Sequence, residues 1–266
     1  MKITSALCWF DEPPELLADC VRGLAGVADR IVALDGGYAR FPNTLSSSPP
    51  EQAAAIRSAA NEVGMECLVL TSDRLWAGQV EKRAHLLAAA SVQTDWIVVV
   101  DADHIVHANA EAVRNEIAGY DASVDVVSVP FFTPRNPNRS LRASAATNWH
   151  SDMVDKSFDM PHFFRALPGL TVEKFHWWYS ARKMDNKVWL WCTDGQGSPD
   201  GNRVLSPRRI AARYEVEHVS LMRDEAHILA NRAFCNDRIM VVKETGQEDD
   251  RPDLPRPVFD YVTVPY

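Results

Sequence analysis

Asp101 and Asp103 stand one residue apart, directly after the apolar run Trp96–Val100, in the stretch DWIVVVDADHIV (95–106). Two carboxylates at the tip of a strand can turn toward one point as the backbone leaves it. Two hard oxygen ligands, with water or phosphate oxygens completing the shell, suit Mg²⁺ or Mn²⁺. A single aspartate at a strand end commonly caps the next turn, whereas a pair points to function. Asp35 ends a second apolar run, RIVALD (30–35), just before Gly36-Gly37. Asp11 and Glu12 follow a third, where Asp11 either caps a helix or reaches a ligand. Lys82 and Arg83 precede the Asp-x-Asp strand on a helical stretch, and either face solvent or offset ligand charge.

The elements that must position these residues alternate regularly. KITSALCWF (2–10), RIVALD (30–35), MECLVLT (65–71) and DWIVVV (95–100) read as strands. Between them lie helical stretches from Pro13 to about Gly26, at 49–64 and at 79–92, the first opened by a proline suited to a helix start. Near-continuous apolar strands alternating with helices predict an α/β fold with a mainly parallel sheet covered on both faces. Ligands of such sheets bind in the crevice at the carboxyl ends of the strands, where Asp35 and Asp101 would sit.

After residue 133 the rhythm breaks. TPRNPNRS (133–140) reads as a loop, and the stretch to about 212 is rich in aromatics, among them Trp149, Trp177, Trp178, Trp189 and Trp191. EVEHVSLM (215–222) reads as a last strand, followed by a basic helix from about Arg223 to Cys235. The expected organisation is one domain over 1–245, in halves 1–133 and 134–245, with a proline-rich tail at 246–266.

A chain of 266 residues with 46% apolar content can bury a full core, and a net charge of −8 argues against nucleic-acid or anionic-membrane partners. Five scattered cysteines without a Cys-x-x-Cys pair read as reduced thiols of a cytoplasmic protein. The first residues do not read as a signal peptide, and no apolar run is long enough to span a bilayer.

The order ALCWFDEPPELLADCVRGLAGVADRIVALDGG, then EKRAHLLAAASVQTDWIVVVDAD, resembles the nucleotide-sugar glycosyltransferases of the GT-A fold, most of all glycosyltransferase family 2. HFFRALPGLTVEKFHWW (162–178) is similar to that family's Arg-Leu-Phe-Arg…Pro-Gly-Leu segment, and 215–234 more loosely to its late histidine segment. The family's Asn-Glu stands here as Asp11-Glu12, and its His-Glu as His176-Trp177. The resemblance implies a Rossmann-like sheet, a nucleotide-sugar-binding half at 1–133 and an aromatic-rich acceptor half beyond.

It also implies roles. Asp35 would hold the nucleotide base or ribose, Asp11 would reach the ribose, and Arg83 would face the diphosphate. Asp101 would bind ribose or support the metal, Asp103 would ligate Mn²⁺ or Mg²⁺, and His218 would be a further ligand. His104, His107, His85, His150 and His227 show no such placement. Glu173, His176, Asp152, Asp155 and Asp159 are open as the base for an acceptor hydroxyl. One or two of Trp177, Trp178 and Trp189 would stack on a sugar. The resulting expectation is a metal-dependent transferase that moves a sugar, from a UDP-sugar or a related donor, to an unknown acceptor.

Two other readings stay open. Haloacid-dehalogenase-like phosphatases use Asp-x-Asp with the first aspartate as nucleophile, although there the motif opens the domain. A non-catalytic sugar- or partner-binding module on the same fold is the other. Sugar nucleotidyltransferases place a glycine-rich basic loop after the first strand, and here that loop reads FDEPPE (10–15).

Overall fold

A computed structural model describes residues 1–39, 41, 45–134, 157–184, 186–192 and 204–219, the side chains of 175–177 excepted. The helix expected at 223–235 and the tail at 246–266 lie outside the described residues, as do Trp149, Asp152 and Asp155.

Four parallel strands form one side of the main sheet: β1 (Ile3–Cys8), β2 (Arg30–Leu34), β3 (Glu66–Leu70) and β4 (Trp96–Asp101), in the order β3-β2-β1-β4. Every residue of β1 and β2 is buried, which is why, Thr4, Ser5 and Arg30 apart, their sequences are apolar without alternation. β3 is the edge and is half-exposed. Side chains still divide by period two. Ile3, Leu7, Val98 and Val100 join one core with α1 (Pro14–Gly23), α2 (Pro50–Glu62) and α4 (Ala110–Gly119). Ala6, Cys8, Ile97 and Val99 join the other with α3 (Gln79–Ala90). Pro14 and Pro50 open α1 and α2, and Asn109 caps α4 by accepting from the Ala112 amide.

The sheet continues as a mixed one. β7 (Ser157–Arg165) inserts antiparallel between β4 and β6 (Val126–Phe132). β12 (Tyr214–His218) runs parallel to β6, and β5 (His104–Ala108) closes the far edge antiparallel to β12, while β11 (Arg208–Arg209) pairs with β6. The mainly parallel arrangement expected from the sequence holds, since β6, β11 and β12 share the direction of β1–β4 and only β7 and β5 run against it.

β4 and β5 lie four positions apart in the sheet, a span of roughly 19 Å if it were flat. Only Ala102 and Asp103 connect Asp101 to His104, a reach of about 10 Å. The sheet must therefore curl, which brings the tips of β4, β5 and β12 together. A second sheet of β8 (Thr171–Glu173), β9 (Phe175–Lys183) and β10 (Asn186–Trp191) packs Leu170, Val172, Tyr179 and Leu190 into the α3 side of the core. Among the described residues no helix is long and apolar enough to cross a membrane.

Candidate metal centre at the curled strand tips

β1 is followed in the chain by β2 on one side of it in the sheet and bordered by β4 on the other. The crevice at the carboxyl ends of β1 and β4 is thus a topological switch point, the usual ligand site of such sheets. The loop Trp9–Glu12 and the turn Asp101–Asp103 both leave the sheet there.

The two aspartates of the turn part company. Asp101 accepts from Arg83 Nη2 on both carboxylate oxygens, at 2.6 and 2.7 Å. Burial works against the Asp101 carboxylate, but the Arg83 charge and the nearby His104 outweigh it and hold its pKa below the usual range. Burial likewise opposes the Arg83 charge, which the partners Asp101 and Tyr179 more than restore. Arg83 thereby links β4 to β9, and burial pushes the Tyr179 phenol up to about 12.

Asp103 turns the other way, its Oδ2 lying 3.2 Å from Nε2 of His218 at the end of β12. The His218 Nδ1 is 3.4 Å from the hydroxyl of the fully buried Thr133. The Val219 amide donates to the Asp103 carbonyl, fastening the two segments. Asp103 is 6% exposed, so it is not at the open strand tip that its place in the sequence suggested. The two aspartates have different partners, Arg83 for Asp101 and His218 for Asp103.

His104 belongs to this cluster, although its sequence position gave no role. It faces His218 in the β5–β12 register, is 5% exposed, and its Nδ1 accepts from the Asp101 amide at 3.1 Å. Burial lowers its pKa to about 4. The sequence His-Ile-Val-His-Ala (104–108) does not alternate, so only the structure shows that His104 and Val106 are buried while His107 is exposed. His162 of β7 packs beside it at 5.9 Å between ring centroids, its Nε2 buried and without a hydrogen-bond partner among the described residues. Burial lowers that pKa well below the ordinary histidine value.

Asp35 is buried, and its two oxygens accept from the Ser48 amide (2.8 Å) and hydroxyl (2.6 Å). The same hydroxyl accepts from the amide of Asp11, whose φ of 50° is left-handed. Asp35 thus ties the loop after β2 to the loop after β1. The Glu12 amide donates to Gln52. Lys82 is fully buried and donates to the carbonyls of Trp9 and Gly36, clamping the tips of β1 and β2. Burial lowers its pKa.

In the second sheet, Glu173 accepts from Ser180 and Lys187, each at 2.6 Å, beside the tight turn at Lys174. His176 lies on β9 across that turn, and its side chain is outside the description. Asp159 pairs with Arg209. Trp189 is fully buried, so it fills core and does not offer a sugar platform.

No family model matches this chain, and no curated protein matches it. Among solved structures it is similar to 4-diphosphocytidyl-2C-methyl-D-erythritol synthase from Anaerococcus prevotii (11% identity, 62% of this chain and 72% of that one, TM-score 0.34). It is also similar to mannose-6-phosphate isomerase from Helicobacter pylori (11% identity, 80% and 99%, TM-score 0.35). At such low identity and TM-score, nothing about ligand or reaction passes from them to this chain.

Proposed function

We propose that this chain is a metal-dependent glycosyltransferase of the GT-A, family 2 type, taking a nucleotide-diphosphate sugar, of which UDP-sugars are the first class to test. The observation that carries the reading is the pairing of Asp103 with His218 at the switch-point crevice. Neighbouring vertices of an octahedron with bonds of about 2.1 Å lie roughly 3 Å apart. The Asp103–His218 separation of 3.2 Å fits that span. It equally fits a direct hydrogen bond, so the donor set is compatible with an ion without requiring one.

Asp103 and His218 would hold the ion, with water and diphosphate oxygens as the remaining ligands. Bound there, a divalent ion supplies Lewis-acid stabilisation of the charge that develops on the leaving diphosphate. Asp101, with both oxygens on Arg83, is a supporting acid whose partner also places a cation near the same charge. Breakage of the anomeric bond has oxocarbenium character, and in an inverting reaction attack by an acceptor hydroxyl needs a base, whereas a retaining one needs none. For an inverting reaction Glu173 and His176, on either side of the β8–β9 turn, are the candidates for that base, and Glu173 would have to leave its pairing with Lys187 to serve. The phosphatase alternative draws no support from Asp101, since the Arg83 pairing opposes its use as a nucleophile.

Thermal shift measured with UDP, Mn²⁺ and both together tests the reading. The pair should raise the melting temperature more than either alone, because the diphosphate completes the metal's shell. If UDP, GDP and dTDP all leave it unmoved with Mn²⁺ present, the nucleotide-sugar reading fails.

A further inference from the structure

Asp103, His104 and His218 each bring one ligand-type atom within 4.8 Å of the others. Taken by residue type, that is a carboxylate and two imidazoles around one ion, a set suited to iron or zinc. The hydrogen bonding of His104 argues otherwise. Its Nδ1 accepts from the Asp101 N–H, so that nitrogen carries the lone pair and the ring proton lies on Nε2. The Nε2, 3.9 Å from Asp103 Oδ1, is then a donor with no lone pair for a cation. Histidines that ligate through Nε2 show the reverse pattern, with Nδ1–H donating to a carbonyl or carboxylate. His218 differs, because its Nδ1 neighbour is a hydroxyl, which can accept that proton and leave the Nε2 lone pair toward Asp103.

We infer that His104 is a positioning residue and not a ligand: by accepting the Asp101 amide it fixes the Asp101–Asp103 turn, so that Asp103 faces His218. The inference rests on the metal reading of Asp103 and His218 and sharpens it. One carboxylate and one imidazole leave most of the shell to water and phosphate oxygens, which selects a hard divalent ion such as Mn²⁺ or Mg²⁺ over a two-histidine iron or zinc site. The ring is well placed for this task. It is wedged edge-on against Phe131 and His218, at 5.0 and 5.5 Å between centroids, on a strand that is itself paired to β12.

Two measurements test it. In the metal-free protein, a two-bond ¹H–¹⁵N spectrum of the histidine rings should show His104 as the Nε2–H tautomer, and an Nδ1–H tautomer would overturn the inference. Mn²⁺ titration followed by electron paramagnetic resonance then compares wild type with His104→Asn and His104→Leu. An asparagine amide oxygen can stand where Nδ1 stands and accept from Asp101, but puts nothing at Nε2. His104→Asn should bind Mn²⁺ within about threefold of wild type, and His104→Leu about tenfold more weakly, the usual cost of a lost outer partner. Equal losses in both variants, or no loss in either, would overturn it. A wild type that binds no Mn²⁺ overturns the metal reading instead, and the metal-free spectrum still decides the tautomer.

Discussion

Asp103 is the residue on which the proposed chemistry turns, and its burial changes what a substitution should do. Losing the ion removes several kcal/mol of leaving-group stabilisation, and about 4 kcal/mol corresponds to roughly a thousandfold in rate. Asp103→Ala should therefore abolish turnover, measured as nucleotide release from the donor at saturating Mn²⁺. Because the carboxylate is buried against His218, the variant should also lose about 1–3 kcal/mol of stability. His218→Ala should act in the same direction but more weakly, since carboxylate and phosphate oxygens still reach the ion. A folded Asp103→Ala protein with near wild-type turnover would sink the metal-dependent mechanism. Asp35→Ala separates two roles at its site. A lower melting temperature with unchanged UDP affinity would leave Asp35 as the fastener of the Ser48 loop, whereas weakened affinity would support nucleotide contact.

Helix α1 and strand β5 meet at Gly23, and the contact is close. A Cβ on Gly23 would lie 2.8 Å from the Val106 carbonyl oxygen and 2.9 Å from its amide nitrogen. Both are backbone atoms of the strand that begins with His104, so the neighbour cannot swing aside. Gly23→Ala should cost about 1–3 kcal/mol, the usual range for overpacking, read from denaturant unfolding. Wild-type stability in that variant would mean that α1 and β5 separate more easily than their packing suggests. Lys82→Met tests the clamp between β1 and β2. It leaves the Trp9 and Gly36 carbonyls without their buried donor, so stability should fall by about 1–3 kcal/mol.

The curled sheet as a whole encloses two uncharged imidazoles, His104 and His162, and this gives the molecule an acid limit. Burial lowers both pKa values, His104 from 6.5 to about 4. The unfolded chain binds these protons near pH 6.5 and the folded chain does not, so stability is full above that pH and falls as pH drops toward the folded values. For His104 the difference amounts to ~3 kcal/mol. The lowered Asp101 pKa acts only in more acid solution, below the ordinary carboxylate value of 3.8. Melting temperatures measured between pH 7 and pH 4.5 should therefore fall with acid, and His162→Phe should flatten the fall. A parallel pH profile in that variant would show that His162 does not contribute to it.

The strands β1–β4 and the helices between them were legible in the chain, because the inner strands are largely apolar and the starts of α1 and α2 carry prolines. The placement of Asp101 and Asp103 at a strand tip was legible for the same reason. Hydrophobic pattern reports that a strand is buried, but not which strand lies beside it. Hence the antiparallel entry of β7, the curl that brings β5 to the tip of β4, and the pairing of His104 with His218 were decided only in the tertiary structure. The partners of charged groups followed the same rule. Lys82 and Arg83 are neighbours on one helix with the same charge, yet one holds backbone carbonyls and the other Asp101. Charge fixes what a side chain can bind. The approach of segments far apart in the chain fixes what it does bind, and here it gives Asp101 and Asp103 different partners.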